Sequence, residues 1–468
     1  MPLIASLPDL VSLIWFADDA TASGRLIGIR QWWDGSVISR PRYGYFPNAV
    51  KTWLVVKLYL ETEASTIFAA TDISITTSCH RHLGAALGSR TFTEEFVSAK
   101  VQDWVAAIER LSVIAGTQPH AAYAAFIHGL QSRWVYLSHV APDIADLLQP
   151  VENILRQKFI PALTGRTQPG DVERELFSLP ARLGGLGINN PVLEASENYA
   201  ASQRLTATLF ALIMQQSSED GAMPTEPATK RQLHFAKRKR PEETAKELLA
   251  LLPRHLKRAV LLAQEKGASS WLSVLPLEEH GFALFKREFR DALFIRYACS
   301  MSNAATECVC GKPMELEHAL SCPCGGFPSI RHNEIRDLLA DLLTEVCPNV
   351  CTEPRLQPLS DERLDHATAS TEDNASADIQ AGGFWGSSRF ETALFDVRAF
   401  NPFAESNRAC PSVSSCYRRH EREKRRMYDQ RIRQVDGASF CPLVFAATGG
   451  AVPAATVFLK RLACKLTG

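Results

Sequence analysis

The feature that most constrains this chain is an interruption. From Gln216 to Pro241 the sequence is polar and charged, with little aromatic content. Such a stretch buries too little apolar surface to offset the entropy of ordering it, and it reads as a linker or mobile loop. No single core is expected to run across it. A chain of 468 residues therefore divides into separate blocks. The composition, 46% hydrophobic and 22% charged, is globular and leaves enough apolar side chains for more than one core.

Residues 1–90 carry strand-like runs such as VSLIWFADD and KTWLVVKL. Residues 91–215 are expected to be helical, because Phe96, Val101, Trp104, Ile108, Leu111 and Ile114 recur at helical spacing. A Gly-rich segment, LGGLGINNP from Leu183 to Pro191, breaks that region. Beyond the linker, 216–241, a helical connector is expected over 242–302. A cysteine-rich segment occupies 303–330. Residues 331–468 alternate differently: a helix pattern from His332 to Val346, strand-like pieces around Val350, Asp378 and Phe395, a basic helix from Tyr417 to Val435, a strand from Phe440 to Thr448, and a last helix. That αβββαβ order followed by a helix places the chain among α+β and α/β multidomain proteins.

Net charge is zero, so charge as a whole announces no nucleic-acid partner. Its distribution says more. Lys237 to Arg240 is one basic run, open to two readings, a nuclear-localisation patch or a solvated linker cluster. In the denser run Arg418 to Arg433, cations outnumber acids by more than two to one. No stretch approaches ~20 apolar residues, so no membrane-spanning helix is expected. The N-terminus has no signal-peptide pattern, and an intracellular protein is expected. Eleven of the twelve cysteines lie at or after Cys299, which in that setting favours a metal site over disulfides.

The spacing Cys308-x-Cys310-x7-His318-x3-Cys322 puts four borderline or soft ligands within fifteen residues. Thiolates and imidazole at such intervals suit tetrahedral Zn²⁺, and four protein ligands leave no open position, so the ion would be structural. Buried thiols with a surface histidine are the alternative. Cys324 is a substitute ligand, while His332 is expected to begin the next helix.

Farther on, Ala377-Asp378-Ile379 and Phe395-Asp396-Val397-Arg398 place acids in two strand-like pieces, with Arg398 on the same face as Asp396. Carboxylates on adjacent strands can hold Mg²⁺, which activates water and neutralises a scissile phosphate. A nearby cation stabilises the developing charge. His420, Lys424 and Tyr428 recur every four residues and so share a helix face. Glu353 is a further acid candidate. Plainer readings stay open: a turn acid at Asp378, a cross-strand ion pair at Asp396 and Arg398, and a solvated helix with pairs such as Glu421 and Arg425. On that helix Arg418, Arg419, Arg422, Arg425 and Arg426 form a surface able to track phosphates of DNA or RNA.

Near the N-terminus, Trp15-Phe16-Ala17-Asp18-Asp19 runs an apolar strand into two adjacent carboxylates. Two-metal polymerases hold their ions on carboxylates at such a turn. Asn48 to Trp53 and Arg81-His82-Leu83-Gly84 follow. In this order the segments resemble the palm of reverse transcriptases from non-LTR retrotransposons. The resemblance implies that Asp18 and Asp19 descend from metal ligands. It also implies that Lys51 falls near the lysine-bearing segment, that His82-Leu83-Gly84 matches the primer-grip hairpin, and that the following helices match the thumb. In that family another catalytic aspartate, the fingers and most of the palm precede the FADD strand. Here fifteen residues do, so this chain alone is expected not to polymerise DNA.

The cysteine cluster resembles the CCHC knuckle between polymerase and endonuclease in retroelements with a restriction-like endonuclease, and residues 331–468 resemble the PD-(D/E)xK nuclease core. By that resemblance Asp378 is the first acid and Asp396 the second. Arg398 stands at the lysine position, where a guanidinium cannot act as a base but still helps electrostatically. Lys424 is the candidate for the missing ammonium, with Tyr428 a residue some members carry at that spacing. Most of the chain thus resembles the C-terminal half of such retrotransposon proteins: partial palm, helical thumb, connector, zinc knuckle and endonuclease. The implied setting is nuclear, with DNA or RNA as partner, no membrane, a structural Zn²⁺ and a catalytic Mg²⁺. Two outcomes stay open: a working DNA-nicking endonuclease, or a catalytically dead relic that binds nucleic acid through the knuckle and the basic helix.

Overall fold

The structure, a computed structural model, describes residues 11–16, 19–215, 241–299, 305–360, 362–386 and 391–467. Asp18 and residues 216–240 of the linker, with its Lys237 to Arg240 run, lie outside the described residues, while Pro241 already belongs to a helix. The architecture mixes helices with several small sheets, which is compatible with an α+β multidomain protein. Two compact units are present. No helix among the described residues is long and apolar enough to cross a membrane.

The first unit takes the chain up to Thr117, then 122–169 and the chain from Asn189. Strands β1 (Ser12–Phe16) and β2 (Asp19–Ser23) pair in antiparallel fashion, with Phe16, the first residue of the FADD string, facing Asp19, its last. Strands β3 (Trp53–Val55) and β4 (Ser74–Thr76) pair in parallel. Strands β5 (Cys79–His82) and β6 (Ala85–Gly88) form a second hairpin. Its two turn residues, Leu83 and Gly84, both take positive φ, 47° and 82°, as a tight two-residue hairpin turn requires. The helix Arg90–Ala115 begins where Ser89 accepts the Phe92 N–H. Its buried stripe is Val97, Val101, Trp104, Ile108, Leu111 and Ala115. Ile114, counted on the inner face from spacing, is exposed, because Ala115 takes its place against the core.

The second unit contains residues 118–121, 170–188 and 241 onward. Residues 170–188, which spacing grouped with 91–215, therefore pack here. The LGGLGI glycines serve this packing. Arg296 donates to the Ala181 and Gly185 carbonyls at 2.8 and 3.0 Å, and the Tyr297 hydroxyl donates to the Gly184 carbonyl at 3.1 Å. A Cβ on Gly185 would lie 1.9 Å from the Leu179 carbonyl oxygen.

The C-terminal part of this unit follows the order helix Phe327–Thr344, β7 (Cys351–Thr352), β8 (Ile379–Gly382), β9 (Thr392–Phe400), helix Val413–Gln434, β10 (Ser439–Ala446) and helix Pro453–Leu466, with a short helix Glu405–Arg408 between β9 and the basic helix. The sheet order is β10-β9-β8-β7, with β10 parallel to β9 and β8 antiparallel to its neighbours. Strands β9 and β10 are buried on both faces, which is why TALFDVRAF and SFCPLVFA read as near-continuous apolar runs. The core gathers Leu343, Ile379, Phe384, Phe395, Leu443 and Phe458. The basic helix starts at Val413 rather than Tyr417 because Ser412 caps it, accepting the Ser415 N–H at 3.1 Å.

Candidate metal centres and nucleic-acid interface

The cysteine cluster is assembled by two local turns. Cys308 and Cys310 flank a tight loop in which the Gly311 N–H reaches the Cys308 carbonyl at 2.8 Å, with Gly311 at φ 78°. His318 and Cys322 come from one turn of the helix Leu316–Ser321 and its cap, where the Cys322 N–H donates to the His318 carbonyl. Among the described residues, this is the one group of three or more Cys, His, Asp or Glu whose ligand atoms all lie within 4.8 Å of one another. The Cys322 sulfur is 3.7 Å from that of Cys308 and 3.8 Å from that of Cys310, and His318 Nε2 is 3.1 Å from the Cys310 sulfur. A tetrahedral ion with Zn–S bonds of about 2.3 Å has ligand edges of about 3.8 Å, so the quartet fits zinc. Cys324 is exposed and outside the group.

This cluster is tied to the end of β9. Asn401, just beyond the strand, donates through Nδ2 to the Glu317 carbonyl and the Ser321 hydroxyl at 2.9 and 2.7 Å. Arg408 pairs with the Glu317 carboxylate at 2.7 Å.

Asp378 and Asp396 meet across β8 and β9. Asp378 directly precedes Ile379, the first paired residue of β8, which faces Phe395, the neighbour of Asp396. Asp378 donates its N–H to the Phe395 carbonyl at 3.0 Å. Its side-chain Oδ2 accepts the Val397 N–H at 2.6 Å, and Oδ1 lies 3.2 Å from His332 Nε2. Asp396 is only 3% exposed, in a strand buried on both faces. Burial pushes its carboxyl up to about 6, against the opposing pull of Lys424, whose Nζ stands 2.7 Å from Oδ2. The bond to Asp378 raises the His332 imidazole. Mg²⁺ is usually held by one or two carboxylates plus water and substrate phosphates, and this pair suits that mode.

The cation beside Asp396 is thus Lys424, from the basic helix. Arg398 instead reaches Glu423, Nη1 to Oε2 at 3.1 Å. The Lys424 ammonium also stands 5.6 Å from the centre of the Tyr428 ring. Burial, with added repulsion from Asp396, pushes the Tyr428 hydroxyl up to about 12, so near neutrality it can donate a proton bond but cannot serve as a base. His420 is buried, with Nε2 2.9 Å from Asn407 Oδ1, and burial pushes it down to about 4. Spacing placed His420, Lys424 and Tyr428 on one face, and that face points inward.

An open cleft of about 520 Å³ lies at this place, lined by His332, Asn333, Arg336, Glu353, Arg398 and Lys424 among others. Glu353, at φ 51°, is bound to Arg336. His332, expected to begin the helix, stands in its second turn because the helix starts at Phe327, and neither His332 nor Arg336 was placed at the acids from sequence. Only the tertiary fold brings helix Phe327–Thr344 to an acid 46 positions away.

Of the five arginines expected to face nucleic acid, Arg418, Arg422 and Arg426 form an exposed stripe at four-residue intervals. Arg419 donates to the Ser406 carbonyl and the Asn407 amide oxygen, and Arg425 pairs with Glu421 at 3.1 Å. Arg431, within the same basic run, is fully buried and donates to the Gln357, Ser370 and Glu372 carbonyls at 2.9 Å each. In the first unit Asp19 and Lys51 are exposed, Lys51 ending the turn Ala49–Lys51. His82 Nε2 lies 3.2 Å from Thr21 Oγ1, so the FADD hairpin touches the His82-Leu83-Gly84 hairpin.

No protein-family model and no curated protein matches this chain.

Proposed function

We propose that this is a retrotransposon-derived protein whose C-terminal region is a restriction-endonuclease-like domain that nicks DNA with Mg²⁺, next to a zinc knuckle and downstream of a partial reverse transcriptase palm and thumb. One observation carries the reading. Asp378 at the head of β8 lies close to Asp396 on β9, its Oδ2 accepting the Val397 N–H at 2.6 Å, and Lys424 stands 2.7 Å from Asp396 at the edge of an open cleft. Asp378 and Asp396 would hold the ion, which when bound supplies an activated water and neutralises the scissile phosphate. Lys424, a compact charge with three donors, would stabilise negative charge on that phosphate. The exposed stripe Arg418, Arg422, Arg426 would hold the backbone without reading sequence, and a nuclear setting follows from a DNA substrate. The FADD and His82-Leu83-Gly84 hairpins support the palm reading of the first unit.

Conversion of supercoiled plasmid to open circles, with and without Mg²⁺, tests the proposal. Asp396→Ala is expected to slow nicking by roughly a hundredfold or more. Nicking at the wild-type rate would sink it. A second reading has its own support, since Asp396 with Lys424, Arg398 with Glu423 and Arg336 with Glu353 form an ion-pair network that needs no catalysis to explain it. Salt-sensitive DNA binding without nicking at any divalent ion would favour that non-catalytic protein.

A further inference from the structure

The helix Phe327–Thr344 lines the acid cleft with His332, Asn333 and Arg336. We propose that His332 is a direct ligand of the divalent cation at Asp378, making a mixed nitrogen and oxygen site that favours Mn²⁺ over Mg²⁺. The inference rests on the nuclease reading of this cleft and deepens it.

The geometry of Asp378 carries the argument. Its Oδ2 is engaged by the Val397 N–H at 2.6 Å, which fixes the carboxylate plane and turns Oδ1 toward the imidazole. The 3.2 Å between Oδ1 and Nε2 is a hydrogen-bond spacing, with one proton shared between the two groups. Neighbouring ligand atoms of an octahedral ion with bonds of about 2.1–2.2 Å stand about 3.0–3.1 Å apart, so an ion can take the place of that proton with little movement of either side chain. Both side chains reach solvent, at 29% and 17% exposure, and His332 lines the cleft, so an ion has access. Asp396 is held by Lys424. The pair already at coordination spacing is His332 with Asp378. Hard Mg²⁺ selects oxygen ligands, and an imidazole in the set shifts preference toward first-row transition ions.

The test uses the full chain with its knuckle loaded with zinc, and Mn²⁺ as the probe. Pulsed electron paramagnetic resonance of the bound Mn²⁺ reports a directly coordinated imidazole as ¹⁴N modulation, with no variant needed. Wild type is expected to show that modulation. His332→Ala is expected to lose it and to bind Mn²⁺ at least about tenfold more weakly, while Mg²⁺ affinity moves less. Mn²⁺ bound in an Asp378-dependent way without ¹⁴N modulation would overturn the ligand assignment and leave the nuclease reading standing. Modulation that persists in His332→Ala would also overturn it. Finding no Mn²⁺ site that depends on Asp378 or Asp396 would remove both the inference and the reading beneath it.

Discussion

Replacing Asp396 by asparagine isolates the cost of keeping a carboxylate in the centre of the sheet. Burial raises the Asp396 carboxyl from its ordinary 3.8 to about 6 despite Lys424, so the charged form is held at a loss. That rise corresponds to about 3 kcal/mol at pH 8. Because the folded value is the raised one, the folded chain takes up the proton first. Wild-type stability relative to the variant is retained below pH 3.8 and lost as pH rises through about 6. The pull of Lys424 is already contained in that raised value, so losing its carboxylate is not a separate cost. Lys424 is 17% exposed and lines an open cleft, so water can replace much of what it loses. The expected outcome is a variant more stable than wild type by about 1–3 kcal/mol at pH 8, with the gap shrinking to about a third of that by pH 4.5. Urea unfolding of both proteins across that range, with zinc retained and no other divalent ion, measures it. The knuckle titrates alike in both and cancels in the difference. A variant less stable than wild type at pH 8 would refute the reasoning, because the Lys424 pair would then outweigh the burial.

Other consequences can be measured independently. The purified chain should carry about one Zn²⁺, and Cys310→Ser should lower zinc content and loosen the Asn401 contacts to Glu317 and Ser321, read as faster amide exchange at the end of β9. Changing Arg418, Arg422 and Arg426 together to alanine should reduce the salt slope of DNA binding by about 3, whereas the same change at Arg431 should destabilise the fold instead, since its guanidinium holds three carbonyls and meets no solvent. Gly185→Ala should cost at least about 2 kcal/mol in thermal or urea unfolding, because its new methyl would collide with the Leu179 carbonyl.

Local signals in the sequence settled a good deal. Metal-ligand spacing within fifteen residues fixes the Cys308, Cys310, His318 and Cys322 group, because two short turns suffice to close it. Apolar runs marked β9 and β10, and their order with the flanking helices, since a strand buried on both faces needs such a run. The apolar run ahead of the FADD string marked β1, and the hairpin at His82-Leu83-Gly84 was implied by the resemblance. What depends on non-local packing was out of reach. Alternation put Arg398 beside Asp396, yet the guanidinium extends to Glu423 on a helix that only the fold brings near, and Lys424 takes the place at the acid. Helical spacing alone could not say that the His420, Lys424 and Tyr428 face turns inward, or that Arg431 lies in the core. Residues 170–188 looked like part of the preceding helical block, but their glycines fit the surface made by Arg296 and Tyr297. His332 reaches Asp378 for the same reason. Residue type and short-range periodicity determine which groups exist and which local face they share, while the pairing of distant elements decides which of them meet.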